Sequence, residues 1–173
     1  MSGAGNKRPE PVQVIKQRRD AALKALVDGI PYIRFLGIQF ERRGDELTAV
    51  LPFKEELIGN PLLPALHGGV TSGFLETTAI VGLGWSMIWD EIENGDNDPA
   101  DLVRQAQPKW PKTIDLTVDY LRSGLPRDAY ARAEITRSGR RYASVRVEAW
   151  QDNRDRPFAQ ATGHFLMPDR SSG

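Results

Sequence analysis

From Leu57 to Trp89 the chain carries a single charged side chain, Glu76. Within that stretch Val70, Phe74, Thr77, Ile80 or Val81 and Trp85 recur at helical spacing from Gly69 to about Ile88, and apolar residues occupy most of the circumference. A helix apolar on nearly every side has to be buried. The rest of the chain must therefore supply an enclosure for it. Asn60, Pro61, Pro64, Gly68, Gly69, Gly73 and Glu76 interrupt the stretch too often for it to be a membrane span.

The enclosure is legible as alternation. Leu36-Ile38-Phe40 and Leu47-Ala49-Leu51 flank Arg43-Gly44-Asp45 and predict a hairpin. After the helix come Ile114-Leu116-Val118-Tyr120, Ala131-Ala133-Ile135, Ala143-Val145-Val147-Ala149 and Ala159-Ala161-Gly163-Phe165, with turns near Gly124, Gly139 and Asn153. The simplest reading is four antiparallel strands in succession. Alanine and glycine dominate the inward face of the last three, which suits a sheet that curves and lets another element approach closely. The prediction is an α+β domain, a curved antiparallel sheet wrapped around the long central helix. A further N-terminal helix is expected from Val12, Ile15, Ala22, Leu23, Leu26 and Val27, stopped by Gly29 and Pro31. The acidic, proline-bearing connection from Asp90 to Pro111 reads as a solvated surface loop, with a lid for the site as the alternative, and Trp110 marks its return to the core.

At 173 residues the chain suits one domain. Residues 11–168 are assigned to it, and residues 1–10 and 169–173, polar and glycine- or serine-bearing, are expected to be frayed. Twenty-three basic residues balance 23 acidic ones, so no net field draws the chain to nucleic acid or to an anionic membrane. With no cysteine, disulfides, thiolate metal sites and a cysteine nucleophile are excluded, and a reducing compartment is permitted. No apolar secretory core follows the start, and a cytoplasmic location is expected. The sequence has no G-x-S-x-G elbow, Walker-type loop, dinucleotide glycine fingerprint or H-x-x-x-H pair. Serine hydrolase, nucleotide hydrolase and zinc chemistry are accordingly disfavoured.

The chemistry is sought where the buried helix begins. His67-Gly68-Gly69 can simply be a tight loop with a capping histidine, but a helix start also presents unpaired N–H groups and a positive dipole end, the equipment of an oxyanion hole. Glu76 follows with no arginine or lysine near it in the same helix. Burial without a partner would raise its pKa and suit it to act as a base on water. Eight residues of helix, about 12 Å, separate Gly68 from Glu76. One reacting carbonyl cannot easily touch both in one chain, so a second subunit is expected to complete the site.

The run His67-Gly68-Gly69-Val70-Thr71-Ser72-Gly73-Phe74-Leu75-Glu76, followed by Thr113-Ile114-Asp115-Leu116-Thr117-Val118-Asp119-Tyr120-Leu121-Arg122, resembles the hotdog-fold acyl-CoA thioesterases of the phenylacetic-acid-degradation (PaaI-like) type. The likeness extends over roughly residues 33–167. It implies a hotdog fold and hydrolysis of an acyl-CoA thioester, with the Glu76 carboxylate activating water or attacking the thioester carbon. By the same resemblance the Gly68 N–H polarises the carbonyl, and a polar residue of the preceding loop, Asn60, assists. His67, Gly69 and Thr77 would lie beside the substrate, Thr77, Thr78 or Ser86 beside the water. Arg140 and Arg141, in the hairpin after Gly139, would meet the phosphates of coenzyme A, though a solvated hairpin tip is the plain alternative. His164, on the last strand, is read as a strand residue with a satisfied ring. No metal and no cofactor beyond the CoA moiety of the substrate are implied. A homodimer, possibly a homotetramer, is expected. The alternatives are a non-catalytic acyl-CoA binding or sensing protein and a hotdog enoyl-CoA hydratase or dehydratase.

Overall fold

The computed structural model describes residues 10–94, 97–106 and 109–168. The frayed ends expected from the sequence fall outside these residues except for Glu10, whose carboxylate pairs with Arg18 at 2.9 Å.

Helix α1, Val12–Asp28, buries Ala22, Leu23 and Leu26 and ends at Gly29, as its spacing predicts. Pro31 does more than stop it. At the first position of a helix a missing N–H costs nothing, and Pro31 opens a short helix α2, Pro31–Leu36. Gly37, at φ +76°, ends α2 in the left-handed conformation that glycine takes without strain. Leu36, expected in a strand, is therefore a buried helix residue. The first strands are β1, Gln39–Arg43, and β2, Glu46–Leu51, joined at Gly44 as the hairpin reading requires.

The central helix α3 runs from Gly68–Asn94, 27 residues or about 40 Å. Phe74, Leu75, Ala79, Val81 and Leu83 on it are inaccessible to solvent, each large one contributing roughly 1.5–3 kcal/mol by burial. The connection from Asp90 to Pro111 is not a surface loop. Its first residues continue α3, and Pro99–Ala106 form a helix α4 that packs on α1 and α3 through the buried Leu102 and Val103. Trp110 does return to the core, its ring 3.3 Å from where a Cβ on Gly84 would stand.

Strands β3, Lys112–Tyr120, β4, Ala129–Ser138, β5, Tyr142–Trp150, and β6, Ala159–Leu166, complete one antiparallel sheet in the order β1-β2-β4-β5-β6-β3. The four late strands are thus not neighbours in simple succession. β4 crosses over to pair with β2, and β3 lies at the far edge against β6. This arrangement lets the sheet close over both flanks of α3. Ala131, Ala143, Ala149, Ala159 and Ala161 face the helix and are buried. At Gly82 an added Cβ would come within 3.1 Å of the Ala133 methyl, so close approach of helix and sheet is built from small residues on both sides.

Alternation within β3 is broken once. Thr113 pairs with Phe165 and Asp115 with the next residue, His164, so Ile114 is an extra residue in the ladder. Ile114, expected on the inward face with Leu116 and Val118, is consequently 52% exposed, and the inward phase passes to Thr113.

Candidate active site

Glu76 lies on the face of α3 turned toward β3. Its Oε1 accepts a hydrogen bond of 2.7 Å from the Thr113 hydroxyl, and the residue is only half-buried. The premise of a fully buried carboxylate without a partner does not hold. The bulge at Ile114 brings a partner from another element, which spacing within the helix could not reveal.

The start of α3 is organised by His67. Its N–H donates to Leu57 O at 2.8 Å, its carbonyl accepts from Thr71 N–H at 3.0 Å, and its Nδ1 accepts the Gly69 N–H at 2.8 Å. An accepting Nδ1 places the proton of the neutral ring on Nε2. The histidine therefore caps the helix, as the plainer reading of the triplet has it. One free N–H is thereby used, and the Gly68 N–H bonds no acceptor among the described residues. The Gly68 carbonyl is held instead, accepting from the Tyr120 hydroxyl at 2.9 Å. β3 thus meets α3 twice, with Thr113 at Glu76 and with Tyr120 at Gly68. Within one chain, Gly68 and Glu76 remain eight helical residues apart.

Asn60 stands at the tip of a loop closed by the Ile58–Leu66 bridge and by Gly59 N–H donating to Ala65 O at 3.0 Å. Its Oδ1 accepts the Leu62 N–H at 3.0 Å, an Asx turn that holds the side chain against its own loop. Thr77 is buried in α3. Thr78 and Ser86 donate their hydroxyls to the helix carbonyls of Phe74, at 2.7 Å, and Leu83, at 2.8 Å.

Arg140 and Arg141 are exposed at the β4–β5 hairpin, which is fixed by Gly139 N–H to Tyr142 O at 2.8 Å and Met167 N–H to Arg141 O at 2.7 Å. Ala143 pairs with Phe165, and Phe165 with Thr113. The hairpin therefore lies at the same end of the sheet as Thr113, two strand spacings or about 10 Å away. Lys112, exposed at the start of β3, adds a third cation to that end. His164 is satisfied, its Nδ1 2.9 Å from Asp115 Oδ1 on the outer face.

A cavity of about 490 Å³ opens elsewhere, lined by Thr78, Gly82, Trp85 and Trp89 of α3 and by Leu47 and Ile135 of the sheet. Thr78 and Trp85 lie two and nine residues past Glu76, positions that 3.6 residues per turn puts on the far side of the helix. The cavity and Glu76 are thus separate features.

Similarity to other proteins agrees with this architecture. Residues 98–166 match a family model described as acyl-CoA thioesterase N-terminal domain. The Medium/long-chain acyl-CoA thioesterase YigI of Escherichia coli is 35% identical over 141 residues, covering 80% of this chain and 86% of that one. The chain belongs to the hotdog-fold acyl-CoA thioesterases. Among solved structures of this fold, a Chromobacterium violaceum protein superposes with a TM-score of 0.62 at 33% identity, covering 92% of this chain and all (100%) of that one. A Ralstonia eutropha thioesterase described as phenylacetic acid degradation-related shares the fold, with a TM-score of 0.61 at 18% identity over 84% of this chain and 99% of that one. As a member of this thioesterase family the chain is a thioester hydrolase, and no described helix is long and apolar enough to cross a membrane.

Proposed function

We propose that this thioesterase hydrolyses medium- or long-chain acyl-CoA at a site between two subunits, with Glu76 as the reacting carboxylate. The observation that carries the reading is the placement of Glu76, the one charged side chain of α3 before Asp90, half-open to solvent and oriented by Thr113. The acyl length follows the name of the Escherichia coli relative.

In the general-base course Glu76 takes a proton from water as the water oxygen bonds to the thioester carbon. The carbonyl becomes an oxyanion that the Gly68 N–H of the partner subunit stabilises. The C–S bond then breaks, the carbonyl re-forms, and the proton passes from Glu76 to the departing sulfur. A fatty acid and the CoA thiol result. In the nucleophilic course the Glu76 carboxylate attacks the thioester carbon, the C–S bond breaks and CoA leaves as a thiolate that takes a proton from solvent, and water then hydrolyses the acyl-carboxylate anhydride to the fatty acid and free Glu76. Single turnover in ¹⁸O-water tests for the second course, since water attacking the glutamyl carbonyl of the anhydride leaves label in Glu76, which the general-base course never does. Arg140, Arg141 and Lys112 supply cationic donors for the CoA phosphates at the sheet end that carries Thr113. His67 and Gly69 shape the helix start, Thr77 lies under the reacting face, and Asn60 lines the approach.

Dimerisation is supported by β3. It is an edge of the sheet, its outer flank unpaired with any other described strand, and with the residue that follows it presents Ile114, Tyr120 and Leu121 at 52%, 56% and 46% exposure. Such an edge is a template for pairing with another chain. The same strand holds both Glu76 and Gly68, so pairing there would bring two copies of the site together. A cysteine-free chain suits a reducing compartment such as the cytoplasm.

The test is thiol release from a panel of acyl-CoA thioesters, with enoyl-CoA hydration assayed beside it and the mass of the protein measured by sedimentation. Glu76→Ala should lower kcat by roughly 100-fold or more while the protein sediments as the same dimer. Undiminished turnover in that variant, or a monomeric parent with full activity, would overturn the proposal.

A further inference from the structure

We infer that the aromatic pair Tyr32 and Phe35 on α2 is the platform that receives the acyl chain, and that it sets the chain length the enzyme prefers. The inference rests on Glu76 being the reacting carboxylate.

The residues of α2 divide between two faces. Ile33 and Leu36 turn to the core at 1% and 3% exposure. Tyr32 and Phe35, three apart and so neighbours on one face, turn outward at 45% and 77% exposure, and their rings stack with centroids 6.2 Å apart. A single exposed aromatic residue needs no explanation. A stacked pair is contiguous apolar surface, which marks a place for a ligand or a partner.

The pair reaches α3 at one point. A Cβ added to Gly73 would stand 2.6 Å from the Tyr32 hydroxyl and 3.3 Å from its ring, so it is the missing side chain of Gly73 that admits Tyr32. Gly73 lies one turn before Glu76. At 3.6 residues per turn it projects about 60° to one side of Glu76, whereas Gly68, held by Tyr120 of β3, projects about 80° to the other. Glu76 therefore opens into a slot with β3 on one side and α2 on the other.

A thioester carbon placed at Glu76 carries two arms of opposite chemistry. Lys112, Arg140 and Arg141 lie on the β3 side, at the sheet end that carries Thr113, and suit the phosphate-bearing arm. The acyl arm must then leave by the other side, where Tyr32 and Phe35 offer apolar surface. Aromatic faces cover alkyl carbon, and each further methylene taken out of water adds to the gain. The platform thus discriminates between thioesters by chain length.

The test measures kcat/KM for butanoyl-, octanoyl- and dodecanoyl-CoA in the parent, Tyr32→Ala, Phe35→Ala, Phe35→Leu, Gly73→Ala and Glu76→Ala, with sedimentation of each protein. Preference is read as the ratio of the dodecanoyl value to the butanoyl value. That ratio should fall roughly 10-fold or more in Tyr32→Ala and in Phe35→Ala, while Phe35→Leu, which keeps apolar surface, should retain most of it. Gly73→Ala leaves both rings present but displaces Tyr32, and should lower the ratio too. Phe35 projects into solvent, so its variants keep the test open if Tyr32→Ala fails to fold. A ratio unchanged in either folded alanine variant of the pair, or equal losses on all three thioesters, overturns the platform. A variant that sediments as a monomer beside a dimeric parent also overturns it, since the pair would then be a contact between subunits. A parent inactive on every thioester, or undiminished turnover in Glu76→Ala, removes the reading on which the inference rests and the inference with it.

Discussion

One imidazole nitrogen governs the start of α3. His67 Nδ1 takes the Gly69 N–H, and the backbone of the same residue bonds Leu57 on one side and Thr71 on the other. His67→Ala should therefore cost about 1 kcal/mol of stability as a lost helix cap, read as a lower urea midpoint at unchanged slope. His67→Asn, which offers another acceptor at the cap, should recover part of it. The two residues around which the proposed site is built were visible in the sequence for definite reasons. Glu76 stands out because a lone charge in an apolar run is expensive unless used, and Gly68 because it begins the helix. Thr113 could not be found that way. Its inward position depends on a phase change at Ile114 that no alternation pattern announces. The expectation of an unpartnered Glu76 failed for the same reason, because the partner arrives from a strand 37 residues later.

Among the elements, α1 and α3 are joined by a charged contact as well as by apolar packing. Arg19 reaches Glu93 through Nε and through a terminal guanidinium nitrogen, both at 2.7 Å, and its guanidinium carbon lies 4.8 Å from the centre of the Trp89 ring. The Arg19 hydrogen bonds hold the Glu93 carboxyl below its ordinary value, and burial opposes them less strongly. A carboxyl depressed in the folded state contributes stability that is present above its unfolded pKa and lost as pH falls through the folded value. Glu93→Gln should thus destabilise the protein at pH 7 by up to about 1 kcal/mol, the contact being partly open to solvent. The difference from the parent should shrink as pH is lowered below about 4. Urea titrations at several pH values read both effects. The elements themselves were largely legible, since α1, the central helix, the hairpin and the four later strands all follow from spacing. Pairing was not. Antiparallel strands of similar composition carry no label for their neighbours, so the placement of β3 beside β6 and of β4 beside β2 emerged only in three dimensions. Pro31 reads in the sequence as a stop but opens α2, and Pro99 opens α4 inside a connection that reads as a loop.

At the scale of the whole molecule the sheet is not uniformly knit. β4, β5 and β6 pair along most of their lengths, whereas β2 meets β4 only from Ala49–Ala131 to Leu51–Ala129. Beyond those pairs the strands part, and the 490 Å³ cavity enters between Leu47 and Ile135 and reaches Trp85 and Trp89. Across the gap Arg132 stretches from β4 to the Thr48 hydroxyl, at 2.8 Å, and to the Glu46 carboxylate, at 3.1 Å. Amide exchange opens a structure along its weakest seam before its strongest. The β1–β2 hairpin should therefore lose its protection at lower free energy than β5 and β6, and Arg132→Ala should speed exchange in the hairpin while leaving the central strands unchanged. Mass spectrometry of deuterium uptake measures this. The short seam predicts that deuterium will divide the molecule unequally, entering the β1–β2 hairpin while the half that carries β3 with Thr113 and Tyr120 keeps its protection.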